Sequence, residues 1–242
     1  MTLEKDLREQ LATCARIFAM QGMIGVFGHV SVYQPETKRI FITPGMGSDK
    51  GSLRAEEMVP MDINGGPLEG GERPPVEWPI HTVLHAARED ALAVAHLHAP
   101  YATLFAIAKR EFQPVTLQGA IFSEGVPLYP EAQLITTPAR GSSLLKVIGE
   151  KRATVLRGHG IVVVGKNLQE VLFASLVLED DAKKAMQAAT LGEVGTISPE
   201  ECRAFGGEIA LERRAQRAWN YFCSLEARWD RQPATGRSEL FP

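Results

Sequence analysis

The sequence predicts an α/β fold: one domain in which helices and strands follow one another in mixed order and pack in layers. Three observations predict it. Apolar residues recur at helical spacing in some stretches and at alternate positions in others. The 242 residues suit a single domain of this class, which reaches about 200–250 residues. No internal repeat, low-complexity tract or clear linker divides the chain, so residues 1–242 count as one domain.

Leu7, Leu11, Ala15, Ile17 and Phe18 give residues 3–20 the stripe of an amphipathic helix, with Gly22 as its stop. Val30 and Val32, then Ile40 and Ile42, bracket Pro35-Glu36-Thr37-Lys38 and predict two strands joined by a turn. The Gly-rich stretch 43–51 predicts a loop, Ala55 to Val59 a short helix, and Val59 to Ile63 a strand running into the turn Asn64-Gly65-Gly66. A loop over 70–75 precedes a helix over 76–88, in which Pro79 is tolerable only in the first turn. Residues 92–98 predict a strand, 100–108 a helix, 115–129 strand-like pieces and 144–151 a helix. Residues 154–164 are strand-like, interrupted by Gly158 and Gly160. Two long helices, 168–191 and 208–231, complete the chain, and roughly the last ten residues are expected to fray.

Composition excludes several functions. Twenty-six basic against 29 acidic residues leave a net charge of -3, without the basic excess that a phosphate-backbone binder needs. Cys14, Cys202 and Cys223 form no CxxC pair and are odd in number, which argues against a disulfide framework or a thiolate zinc site. Reduced thiols point to the cytoplasm. Charges at Glu4, Lys5, Asp6, Arg8 and Glu9 argue against a secretory leader. Residues 91–108 lack Asp, Glu, Lys and Arg, but His96, His98 and Pro100 at the centre fit a buried strand and helix better than a membrane span.

The chemistry gathers on histidine. On a strand, side chains two apart share a face, so His96 and His98 converge while Leu97 packs opposite. Two such imidazoles suit either a divalent metal or a pair of hydrogen-bonded histidines. His159 lies between Gly158 and Gly160, which let the backbone bend a third imidazole toward the pair; alone it equally suits a packed position beside a bulge. Glu77, in the first helical turn, taken by itself does no more than complement the helix dipole. Glu77, His81 and His85 recur every four residues on one helical face, a rival zinc arrangement. The HExxH pattern is missing, and His81 and His85 fit rim or core positions better.

Taken together, Gly28-His29-Val30-Ser31-Val32, Ile42-Thr43-Pro44-Gly45, Glu77-Trp78-Pro79-Ile80-His81, Ala95-His96-Leu97-His98-Ala99 and Gly158-His159-Gly160 come in an order and spacing that resembles the class II aldolase/adducin family. The resemblance spans about residues 5 to 190. It implies a three-layer fold, with a central, mainly antiparallel sheet flanked by helices, and a homotetramer with sites between subunits. It also implies that His96, His98 and His159 hold one divalent metal ion per subunit, with Glu77 as the acid/base. Three imidazoles and an open position are catalytic rather than structural metal architecture. Such a metal polarises a substrate oxygen and stabilises an enolate-like intermediate. Zinc, manganese and cobalt are not distinguished by this ligand set.

The departures from the family pattern are as informative. His29 stands where the sugar-phosphate aldolases have Asn, and Pro75 and Val76 stand where they have two phosphate-binding serines. Pro lacks an N–H and Val a hydroxyl, so donors are removed where a dianion would sit. Gln118 aligns with the Tyr that donates a proton across the subunit boundary in those aldolases, and neutral Gln is a poor proton donor. These changes point toward the family's metal-dependent decarboxylases of hydroxylated aromatic or pyridine dicarboxylic acids, often manganese enzymes. There Glu77 or His29 would protonate the product carbon.

The expected partner is therefore a small-molecule carboxylic acid, with no nucleic acid or membrane. Thr43, Gly45 and Ser48 are candidate substrate contacts from the Gly-rich loop, and Arg157, Lys50 and Arg140 candidate carboxylate partners. The alternatives are a retro-aldol lyase acting on a hydroxy-ketone, keto acid or sugar phosphate, and a non-catalytic, adducin-like binding module. The latter is disfavoured because the candidate ligands are all present.

Overall fold

The computed structural model describes residues 2–45, 47–66, 68, 73–205 and 208–229. Residues 70–72 of the loop expected over 70–75, and the C-terminal residues expected to fray, lie outside this set. Helix α1 (Thr2–Met20) leads into a hairpin of β1 (His29–Gln34) and β2 (Arg39–Ile42), then β3 (Val59–Asp62) after a single 3-10 turn over Ala55–Glu57. Helix α2 (Trp78–Ala87), strand β4 (Ala93–Leu97) and helix α3 (Ala102–Ile107) follow. The second half holds β5 (Leu128–Tyr129), α4 (Pro138–Ile148), β6 (Ala153–Leu156), β7 (Gly160–Gly165) and the helices α5 (Leu168–Ala189), α6 (Pro199–Phe205) and α7 (Glu208–Trp229).

The seven strands form one sheet in the order β3-β2-β1-β4-β7-β6-β5. Each neighbouring pair is antiparallel except β5 with β6. Alternation at period two divides the strands between two faces. Ala93, Ala95 and Leu97, with Ile161 and Val163, join the core under α1 and α5. Val94, Val162 and Val164 turn the other way and pack with Ile80 and Leu84 of α2 and Leu144 and Ile148 of α4. Helices thus cover both faces of a mainly antiparallel sheet, a three-layer α/β fold. Each fully buried Ile, Leu or Val contributes about 1.5–3 kcal/mol.

Three stretches differ from expectation. The strand-like residues 115–129 form a 3-10 turn over Gln118–Phe122 and only the two-residue β5. Strand preference is realised only where an edge is free to pair, and Leu128 and Tyr129 reach β6. The helix expected from 144 begins at Pro138, because the Thr137 side chain accepts from Arg140 N and Pro138 suits the first turn. Helix α6 was not anticipated; the Ser198 side chain and Glu201 bond each other's backbone N–H at its start. The cysteines are free thiols, and among the described residues no helix is long and apolar enough to cross a membrane.

Candidate metal centre

The central strands carry the site. β1 and β4 pair so that His29 lies opposite His96. His98 follows the end of β4, where its backbone N–H donates to Met23 O at 2.9 Å. Its ring centroid stands 5.2 Å from that of His96. His159 sits in the tight β6–β7 turn, with Gly158 at φ +65° and His159 N donating to Leu156 O. The positive φ favours glycine there. A Cβ on Gly160 would strike the Leu97 carbonyl, so glycine is also what lets this turn close against β4. The His159 ring is thereby held 4.6 Å from that of His96 and 5.1 Å from that of His98.

One ligating atom from each of His96, His98 and His159 lies within 4.8 Å of the others. His96 is fully buried, and its Nδ1–H donates to Ile161 O at 3.1 Å. In the neutral ring the lone pair is then on Nε2, which has no hydrogen-bond partner. Nδ1 of His159 is likewise buried without a partner. Burial lowers the pKa of all three, that of His98 to about 4, so they are neutral near pH 7. Neutral, converging imidazoles with an unpartnered nitrogen fit a divalent cation, which removes the cost of leaving that atom unsatisfied.

Glu77 occupies the N-cap position of α2, yet its side chain caps nothing. Oε1 instead accepts the Ile135 N–H at 2.8 Å. Oε2 lies 3.6 Å from His96 Nε2 and 3.5 Å from His159 Nε2, too long for good hydrogen bonds and well placed beside a shared cation. Burial raises the Glu77 pKa, partly offset by the Ile135 N–H. Pro79 falls in the first turn of α2, as expected.

His29 completes the cluster with Glu77 and His96, and it heads a buried chain toward α2. His29 Nδ1 lies 2.6 Å from His81 Nε2; His81 Nδ1 lies 2.6 Å from Ser31 Oγ; Ser31 Oγ lies 2.7 Å from His85 Nε2; and His85 Nδ1 bonds Ala91 O. His81 and His85 therefore serve the site from behind rather than forming a second centre. The sequence contained this signal: His29 and Ser31 share a strand face, and His81 and His85 share a helix face.

A cleft of about 280 Å³ opens over the site, lined in part by Phe27, His29, Gly45, Lys50, Val76, Glu77, His98, Leu134 and His159. Among the described lining residues, Lys50 carries the one Lys or Arg side chain. It is buried, and Nζ donates to the carbonyls of Pro44 and Gly45 and to Ser48 Oγ. Thr43 is buried away from the lining, where its Oγ1 accepts from Val30 N. Ser48 braces its own loop through Gly45 O. Arg157 is exposed next to the β6–β7 turn, and Gln118 is exposed at the start of the 3-10 turn; neither lines the cleft. Arg140 binds Leu134 O at 2.9 Å and so steadies one wall.

Comparison with known proteins agrees with this geometry. Residues 9–186 match the model of the Class II Aldolase and Adducin N-terminal domain. The chain is 25% identical over 236 residues to a 3,4-dihydroxyphthalate decarboxylase of Arthrobacter keyseri, covering 92% of this chain and 95% of that one. It is 30% identical over 183 residues to an L-fuculose phosphate aldolase of Methanocaldococcus jannaschii, covering 74% and 94%. The solved L-fuculose 1-phosphate aldolase of Glaciozyma antarctica has the same fold, with a TM-score of 0.80, 22% identity and coverage of 93% and 91%. The histidine cluster, the three-layer sheet and the match over most of the chain place this protein in the class II aldolase/adducin family.

Proposed function

We propose that this protein is a divalent-metal-dependent carbon–carbon lyase that decarboxylates a small, unphosphorylated hydroxy-aromatic or hydroxy-pyridine carboxylic acid. One observation carries the preference: the cleft wall beside Glu77 is Pro75 and Val76, with Val76 60% exposed, so it offers neither hydroxyl nor proline N–H to a phosphate. Phe27, also 60% exposed, and Leu134 add apolar surface suited to a ring. Similarity to a 3,4-dihydroxyphthalate decarboxylase over nearly the whole chain supports the same reading.

His96, His98 and His159 would hold the ion, and zinc, manganese or cobalt suits them. When bound, it supplies a Lewis acid for a substrate oxygen. Lys50, its ammonium bonded to Pro44 O, Gly45 O and Ser48 Oγ, holds the Gly-rich loop in place at the cleft. The C–C bond to the departing carboxylate breaks as CO2 leaves, and Glu77, beside the histidine cluster, is the group that returns a proton to the carbon. This reading includes a cytoplasmic homotetramer, with Gln118 exposed and available to a neighbouring subunit.

The second reading is aldol cleavage, favoured by the 30% identity to an aldolase. A turnover screen of metal-loaded protein, following CO2 and aldehyde across small hydroxy acids and ketose phosphates, separates them. The proposal expects CO2 from an unphosphorylated acid. Efficient aldehyde release from a sugar phosphate, without CO2 from any acid, would overturn it.

A further inference from the structure

We propose that Ser31, His81 and His85 are positioning residues that fix the His29 proton on Nδ1, so that Nε2 of His29 faces substrate chemistry as a hydrogen-bond acceptor. The direction follows from one end of the chain. Ala91 O can only accept, so His85 Nδ1 carries a hydrogen and, in the neutral ring, His85 Nε2 is an acceptor. Ser31 has a single hydroxyl hydrogen, and it goes to His85 Nε2. Ser31 Oγ then has only lone pairs left for His81, so His81 Nδ1 donates to it. Neutral His81 keeps its lone pair on Nε2, and His29 Nδ1–H donates there.

Burial supports the neutral state along the chain. Ser31 and His81 are fully buried and His85 nearly so. Desolvation pushes His81 well below its ordinary range and His85 to about 4. None of the three positioning residues lines the cleft, whereas His29 does. Four hydrogen bonds thus tie the tautomer of a cleft-lining imidazole to the backbone carbonyl of Ala91, between α2 and β4. A free imidazole exchanges tautomers readily; this one is held.

The consequence deepens the lyase reading and rests on it. An acceptor nitrogen beside the metal cluster selects a substrate that offers an O–H, such as a phenol or pyridinol. It repels a keto oxygen or a phosphate dianion, which bring only lone pairs. His29 thereby accepts a hydrogen bond from the substrate hydroxyl, while Glu77 remains the proton donor to carbon.

The test is a long-range 1H–15N correlation spectrum of metal-free, histidine-labelled full chain at pH 7. His29, His81 and His85 should each show a protonated Nδ1 and a pyridine-type Nε2. Ser31→Ala should release His81 and His29 into mixed tautomers and lower kcat about 10- to 100-fold, the usual cost of losing an outer hydrogen-bond partner. Its metal content should stay at the wild-type level, and Ser31→Thr should restore the tautomers. A wild-type spectrum with His29 protonated on Nε2 would overturn the inference, as would an unchanged His29 tautomer in Ser31→Ala. The wild-type spectrum decides even if Ser31→Ala does not fold. Because it uses neither metal nor substrate, failure of the decarboxylase reading would appear separately, as absent CO2 release with the tautomers as stated.

Discussion

The Ile135 N–H donates to one oxygen of Glu77 at 2.8 Å, and this single bond turns the carboxylate away from the helix it begins. The freed oxygen lies 3.5–3.6 Å from His159 and His96. Glu77→Gln preserves the size and an acceptor for Ile135 but removes the ionisable proton. Metal content, measured by elemental analysis, should remain near wild type. Turnover should fall about 10²- to 10⁴-fold, the range for a lost general acid. Wild-type rates in this variant would reduce Glu77 to a structural carboxylate.

His85 makes a prediction about stability. It is buried against Ser31, the Ala91 carbonyl, Tyr33 and His81, and its pKa falls from 6.5 to about 4. The unfolded chain protonates this ring below pH 6.5, whereas the folded chain refuses the proton until about pH 4. Its contribution is therefore complete above pH 6.5 and is lost as pH falls toward 4. Between pH 7 and 5 the linkage amounts to about 2 kcal/mol. The raised carboxyls Glu77, Glu179 and Asp181 act in the opposite sense, so the readout is a difference between proteins. Urea unfolding of metal-free His85→Gln should show a smaller stability loss between those pH values than wild type. Equal losses would contradict a neutral, buried His85.

Much of the fold is legible in the sequence because single segments carry their own signal. The stripe from Leu7 to Phe18 gives α1, and Pro35 to Lys38 gives the β1–β2 turn. The alternation around His96 assigns Val94 to one face and Leu97 to the other, as the two cores confirm. What escaped depends on partners distant in the chain. Residues 115–129 have strand character, but Asp181, 66 residues away from Val115, takes the Val115 N–H and holds a turn. The Glu77 carboxylate is aimed by Ile135, 58 residues on, and no local pattern announces that bond. His81 and His85 are legible as rim or core histidines. Their link to His29 required knowing that α2 lies over the face of β1 that bears Ser31.

His96, His98 and His159 should form one metal centre, and a crystal structure of metal-loaded protein with anomalous scattering tests this most directly. The expected result is one ion per chain, with a nitrogen from each of the three histidines about 2.0–2.2 Å away. In His96→Ala crystals the peak should vanish and activity with it. An ion bound instead by His81 and His85, or a full-occupancy peak retained in His96→Ala, would contradict the account.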